Sequence, residues 1–366
     1  MDKSAGRPAA GRRKGIVMAE SGTRHEVVVP EATSLDGLPF RRLTGPEDYP
    51  GLVEVFTACA ATDDIGQTMT VSDMATFIEN PVGFDPAADF LLAEAGQRVI
   101  GYMWTTHRVE ASGEVIHSHR GYVDPGWRRK GIGAAFLAEA RRRAHASTVG
   151  DGVDGRHYLQ TYLLGSETAA HELLQRFGYA AIRYAFNMAR DLSQPIPDLP
   201  LPAGLEVRPA RQEHYRAIWD AEREAFRDHW GYAPWPEEGF TRFLNFPHYD
   251  PSLWRVAWAG DEVAGSVLNY INVPENDALG RRRGYTEDIS VRRPWRRRGL
   301  ASSLITRSLQ ALHERGMDQA ALSVDAENQT GALDLYTRLG YVVGETWTLY
   351  RKPLIPEVPE TDGPGE

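Results

Sequence analysis

Apolar positions along the chain fall into two successive series that run in the same order. In the first, LPFRRL from Leu38 reads as an opening strand, and Leu52, Val53, Val55 and Phe56 recur at helical spacing within Glu47 to Ala60. Val71 to Ile78 predicts a second, short helix. Phe90 to Ala95 and Val99 to His107 flank the turn Gly96-Gln97 as a hairpin, and Glu114 to Val123 continues the strands. A helix over Ala134 to Ala144, a strand over His157 to Leu164, a helix over Thr168 to Phe177 and a strand over Ala180 to Met188 complete the series. The second series opens with LEVRPA from Leu205 and a helix over Gln212 to Ala225. It repeats the hairpin as Trp254 to Ala259 and Val263 to Tyr270 around Gly260-Asp261. A strand over Tyr285 to Val291 follows, then a helix over Ala301 to Arg315, a strand over Gln319 to Val324, a helix over Gly331 to Arg338 and a closing strand over Tyr341 to Arg351.

Between the two series, LSQPIPDLPLPA (Leu192 to Ala203) holds four prolines, which forbid helix or central strand and favour an extended linker. The pattern therefore divides into a tail over 1–37, a domain over 38–191, a linker over 192–204, a second domain over 205–354 and a tail over 355–366. Both tails are expected to be disordered: the first is rich in Ala, Gly and Arg, the second in Pro and acidic residues. Met18 is a second candidate start. A length of 366 residues also favours two domains.

The strongest local signal lies where a strand hands over to a helix, and it occurs twice. Arg296-Arg297-Arg298-Gly299-Leu300-Ala301 reads R-x-x-G-x-A, and Arg128-Arg129-Lys130-Gly131-Ile132-Gly133 reads R-x-x-G-x-G, 168 residues earlier. Glycine and alanine leave main-chain N–H groups uncovered there. The first amides of a helix have no partners within it, and its dipole favours negative charge, so both turns suit phosphate. Neither copy has the G-x-x-x-x-G-K-[ST] spacing of a nucleotide-hydrolysing phosphate loop.

Composition narrows the reading. With 42% hydrophobic and 25% charged residues this is an ordinary globular chain, and a net charge of −9 gives no reason to expect nucleic acid. The basic triplets are local, which suits capture of a small polyanion. Cys59 is the single cysteine, so there is no intramolecular disulfide and no cysteine cluster for zinc; it reads as a small buried hydrophobe. No apolar run approaches the roughly 20 residues needed to cross a bilayer, and the first 22 residues lack a secretory h-region, so a cytoplasmic protein is expected.

The order of elements and the R-x-x-G-x-G/A turns resemble the GCN5-related N-acetyltransferase family, twice over, from about Leu38 to Pro353. Asn328, Ala332 and Leu335-Tyr336-Thr337-Arg338-Leu339-Gly340-Tyr341 are similar to that family's later signature. The resemblance implies an α/β (α+β) fold of two tandem domains, each a mixed, mostly antiparallel sheet flanked by helices. It also implies acetyl-CoA as donor, without metal, and a small-molecule primary amine as acceptor. The diphosphate would sit on Arg296, Arg297, Arg298, Gly299, Leu300 and Ala301, and the pantetheine arm along Ser290 and Val291 with Asn328, which alternatively caps the following helix. The first domain's counterparts are Tyr122, Val123, Arg128, Arg129, Lys130, Gly131, Ile132 and Gly133. An amino-sugar thiol is a narrower acceptor, and a non-catalytic acyl-CoA-binding module the reading from another class. The chain is expected to be a monomer or homodimer.

An amine with a pKa near 10 must lose a proton before it attacks a thioester. Glu287 is the candidate base, since a regular strand puts it on one face with Ile289 and Val291 and puts Asp288 on the other; the alternative is a structural ion-pair partner. The family's usual base position, six residues before Val291, holds Tyr285. Tyr336 stands where the family keeps the acid that protonates the leaving thiolate, or else is core. Aligning Gly178-Tyr179 with Gly340-Tyr341 puts Leu174 at the Tyr336 position and Ser166 at that of Asn328, so the first domain is expected to be degenerate. His117 and His119 share a strand face but lack a third ligand for a metal. His229, Trp230 and Tyr232, in a stretch both aromatic and polar, are candidate acceptor contacts; alternatively Trp230 and Trp235 anchor a loop.

Overall fold

The computed structural model describes residues 38–150, 155–328 and 331–354; both predicted tails lie outside the described residues. The first half contains β1 (Phe40–Arg42), α1 (Tyr49–Thr62), α2 (Val71–Glu79), α3 (Pro86–Asp89), β2 (Phe90–Ala95), β3 (Arg98–Val109), β4 (Val115–Val123), α4 (Ile132–Gly150), β5 (His157–Leu164), α5 (Thr168–Arg176) and β6 (Ala180–Asp191). The second contains β7 (Glu206–Arg208), α6 (Tyr215–Ala225), α7 (Glu237–Leu244), β8 (Arg255–Ala259), β9 (Glu262–Tyr270), α8 (Val273–Leu279), β10 (Arg283–Val291), α9 (Leu300–Glu314), β11 (Gln319–Asp325), α10 (Ala332–Arg338) and β12 (Val342–Pro353). Helices α7 and α8 were not legible in the apolar pattern. α8 is set by local chemistry: the Asn272 side chain accepts from the Glu275 N–H at its start, and Gly280 in the left-handed region ends it.

The inner strands β2, β3, β8 and β9 are buried on both faces, which is why their apolar runs are nearly continuous. Phe90, Leu92 and Tyr102 pack under α1 and α2, while Leu91, Ala93, Ile100 and Met103 pack under α4. In the second half Val256, Val263 and Leu268 meet α6, and Ala257, Ala264 and Val267 meet α9.

The twelve strands among the described residues form one sheet in the order β1-β2-β3-β4-β5-β12-β6-β11-β10-β9-β8-β7. The closing strands are exchanged. β6, the last strand of the first half, lies antiparallel to β11, and β12, the last of the second, lies antiparallel to β5. Met188 of β6 therefore belongs to the core beneath α9, and Tyr350 of β12 to the core of Leu137, Leu159 and Leu174. The proline-rich segment is not a free spacer. Ile196, Leu199 and Leu201 pack against the second core, and the carbonyl of Leu199 accepts from Ser303 and Arg307 of α9. Among the described residues no helix is long and apolar enough to cross a membrane.

The exchange makes a prediction. Proteolytic cutting within 196–200 should leave two fragments that co-elute as one species on a sizing column and part only in denaturant, because β6 stays paired on both sides. Fragments that separate in native buffer would contradict the exchanged topology.

Candidate active site

The two Arg/Gly turns have the same backbone. Arg129 and Arg297 adopt φ of 62° and 59°, and Gly131 and Gly299 follow at 92° and 84°. A non-glycine residue rarely enters this region, so its recurrence at matched positions marks a built loop. A Cβ at Gly299 would meet open space, whereas one at Gly133 would come within 2.8 Å of Leu173 Cδ2. Ile132 and Leu300 are buried as the first residues of their helices, and Arg129, Lys130, Arg297 and Arg298 stay on the surface, Lys130 above the Trp127 ring at 4.1 Å. The leading arginines have other work. Arg128 is bidentate to Asp63 at 2.7 and 2.6 Å and donates to the Val123 carbonyl. Arg296 binds Asp228 at 2.5 Å and donates to the carbonyls of Val291 and Ala225. Arg293 and Arg296 together hold Asp228 far below the usual carboxylate range. The guanidiniums of Arg128 and Arg296 clamp each turn to the end of the neighbouring helical segment.

Beyond each turn two parallel strands part. β4 and β5 pair only from Val115–His157 to Ser118–Gln160, and β10 and β11 only from Arg283–Gln319 to Tyr285–Ala321. In the first half the opening is a cavity of about 560 Å³ reaching from Tyr122, Val123 and Gly131 to Leu174. Cys59 lines it and donates its thiol to the Val123 carbonyl.

The halves differ in their fourth strands. β4 pairs with β3 in unbroken register, but β10 carries one extra residue: Glu287 faces Leu268 and Ser290 faces Ser266, so Asp288 and Ile289 together oppose Val267. Asp288 takes φ of 46°. This bulge corrects the face assignment made from regular alternation. Glu287, like its partner Leu268, lies on the α6 face. Asp288 joins it there, bound by Tyr249 Oη at 2.5 Å, whereas Ile289 and Val291 pack on the α9 side. Ser290, expected along the pantetheine arm, turns its hydroxyl inward to Ser266 at 2.9 Å, and Ser266 in turn donates to buried Glu222 of α6.

Burial, and next the neighbouring Asp288, push Glu287 up to about 8, against the main-chain N–H of Ser323. Tyr336, buried on α10 and edge-on to Tyr341 at 6.0 Å, is also held in its protonated form, first by burial and then by the charge on Glu287. Tyr336 packs in the core on the α9 side of the sheet, within electrostatic reach of Glu287. Asn328 closes the turn before α10, its N–H bonded to the Asp325 carbonyl; the helix is capped by Gly331, not by Asn328.

Packing aligns the first half with the second. Thr286 Oγ1 meets Tyr341 Oη at 2.7 Å, and His119 Nε2 meets Tyr179 Oη at 2.8 Å. The residue after each is then Glu287 in one half and Arg120 in the other. Arg120 is buried and its Nη2 donates to both carboxylate oxygens of Glu167, at 2.8 and 2.9 Å, and Leu174 fills the place of Tyr336. Burial lowers His119 to about 4, so it is neutral, and His117 meets His157 at 3.0 Å.

Of the acceptor candidates, Trp230 lines a second cavity of about 340 Å³ with Tyr162, Arg183, Ser323, Asp325 and Trp347. Its ring lies near the guanidiniums of Arg183 and Arg351, at 4.7 and 4.6 Å. His229 packs edge-on against Phe226, Tyr232 accepts at its carbonyl from the Ala111 N–H of the first half, and Trp235 anchors against Phe226 and Trp219. Tyr162, Arg183 and Trp347 come from β5, β6 and β12; no local motif marks them, because only the strand exchange gathers them.

A sheet whose central parallel strands part above an Arg/Gly turn of fixed backbone, present twice, defines the class. The model of the Acetyltransferase (GNAT) family matches residues 215–341, and that of an Acetyltransferase (GNAT) domain matches 86–181. The chain belongs to the GCN5-related N-acetyltransferase family, whose acyl donor is acetyl-CoA, in a tandem form. It is similar to the mycothiol acetyltransferase of Thermobispora bispora, 28% identical over 84% of this chain and 97% of the relative, and to that of Streptomyces scabiei, 30% identical over 71% and 79%. Among solved structures, a GCN5-related N-acetyltransferase from Sphaerobacter thermophilus superimposes with a TM-score of 0.64 at 27% identity, over 88% of this chain and 97% of that one. A tandem GNAT protein from the clavulanic acid biosynthesis pathway shares the fold, with a TM-score of 0.60 at 18% identity over 87% and 99%.

Proposed function

We propose that the chain transfers an acetyl group from acetyl-CoA to the primary amine of a small molecule by direct attack, with the chemistry in the second half. One contrast carries this reading: a carboxylate of raised proton affinity and a buried phenol lie within electrostatic reach of each other in the second half, while the first offers an arginine and a leucine at the same places. Glu287 takes the proton from the amine, and Tyr336 gives one to the departing sulfur. The open N–H groups of both turns suit a diphosphate, so the first half holds a coenzyme without turning it over. The acceptor's body lies against Trp230 in the cavity between the halves, where Ser323 joins that cavity to Glu287. A narrower acceptor, the amine of an amino-sugar thiol, is favoured by relatives named mycothiol acetyltransferase that match over nearly their whole length. We further place the protein in the cytoplasm as a monomer or homodimer.

Incubation with acetyl-CoA and a panel of amines, deacetylated mycothiol among them, should yield an N-acetylated product by mass spectrometry. Binding of acetyl-CoA with no product from any amine would favour a non-catalytic module. The base must be deprotonated to work, so kcat/KM should rise with pH through about 8 and fall away below it. In Glu287→Gln that limb should vanish, with a loss of about 10²-fold above it. A limb that survived would remove Glu287 from the mechanism.

A further inference from the structure

The extra residue in β10 sits beside the proposed base and has no counterpart in β4. It is an aspartate in the left-handed region, which Asp and Asn enter more readily than other residues with a Cβ. Its carboxylate is not left to swing. Tyr249, which bridges to β9 at Tyr270, donates its hydroxyl to Asp288 Oδ2. We propose that Asp288 is a positioning residue: its main chain forms the bulge that re-aims the strand after Glu287, and its pinned charge sets how tightly Glu287 holds a proton. This rests on the reading of Glu287 as the base.

The surroundings support the assignment. Tyr270 from β9, Tyr336 from α10 and Tyr341 ahead of β12 lie within electrostatic reach of Glu287, and the Ser323 N–H comes from β11. Asp288 is approached by Tyr249 and by buried Glu222 of α6, whose own acidity is suppressed by burial and then by Asp288. Apart from the Ser323 N–H, these neighbours are phenols, neutral at ordinary pH, and carboxyls. After burial, Asp288 is the group that raises the proton affinity of Glu287, its own carboxylate pushed up by burial and held charged by the Tyr249 hydroxyl, and like charges at close range raise proton affinity. A base tuned upward is better matched to an alkylammonium than an ordinary carboxylate would be. In the first half the strand runs without a bulge, and the matching residue is Arg120 in its own ion pair. Bulge and base are present together in one half and absent together in the other.

The test reads Glu287 directly. In protein labelled with carboxyl ¹³C-glutamate, the resonance lost in Glu287→Gln is assigned and titrated. Asp288→Asn keeps the tolerance for the left-handed backbone and an oxygen for Tyr249; Asp288→Gly keeps the backbone alone. In both, the Glu287 midpoint should fall by about one pH unit, and the acid limb of kcat/KM for deacetylated mycothiol should move down with it. Asp288→Ala, strained at that φ, should lower the amplitude as well. An unchanged midpoint in the Asn and Gly variants overturns the proposal whatever the base is. If instead the midpoint falls while the kinetic limb stays, Asp288 tunes Glu287 as stated but Glu287 is not the base, and the positioning role in catalysis falls.

Discussion

Tyr336→Phe is expected to lower kcat by about 10²-fold or more while the KM for acetyl-CoA stays within about twofold. Only a hydroxyl is removed. The ring keeps its edge-to-face contact with Tyr341, and its neighbours Leu339 and Leu322 keep their packing, so the fold should be intact and the melting temperature nearly unmoved. The effect falls on kcat because a proton for the departing sulfur is needed in the transition state, not for binding. Burial keeps this phenol protonated well past neutrality, so no alkaline limb from it should appear in the working range. Steady-state kinetics with both substrates varied would settle the point: full turnover in the Phe variant would leave Tyr336 as core alone.

Gly299→Glu should raise the Kd for acetyl-CoA at the second half by at least about 10²-fold and abolish turnover. Two costs add. A side chain at φ of 84° strains the turn by about 1–2 kcal/mol, and a carboxylate over the helix start meets the diphosphate with like charge where the bare amides would have attracted it. The matched change Gly131→Glu, at φ of 92°, should remove a second, separate binding event and leave turnover standing. Calorimetric titration of the parent chain and both variants measures this as two sites falling to one in each. Undiminished affinity in Gly299→Glu would mean that the diphosphate lies elsewhere.

Much of this is legible in the sequence. The duplicated turn showed because glycine at a left-handed position and small residues at a helix start are requirements of the backbone itself, carried by a few consecutive residues. The loss of Tyr336 in the first half, where Leu174 stands, followed from aligning two short signatures. The bulge at Asp288 was not legible. In TEDISV, alternation alone assigns Glu287 and Ile289 to one face, and nothing short of the pairing with Leu268 and Ser266 shows the strand skipping a step. The ion pairs of Arg128 and Arg296 were not legible for a related reason: Asp63 and Asp228, which hold them, lie 65 and 68 residues away along the chain.

What the sequence by itself determined, then, is whatever depends on neighbours along the chain: the paired series of elements, the two Arg/Gly turns and the unequal chemical endowment of the halves. Tertiary structure alone decided which strands pair. β6 and β12 are long strands whose two flanking positions could each be filled within either half, and side-chain alternation reports a strand's faces but not the strand beside it. By crossing over, they join two sheets into one and bring Tyr162, Arg183 and Trp347 around Trp230. The cavity proposed for the acceptor is thus a property of the joined sheet, which neither half of the sequence contains.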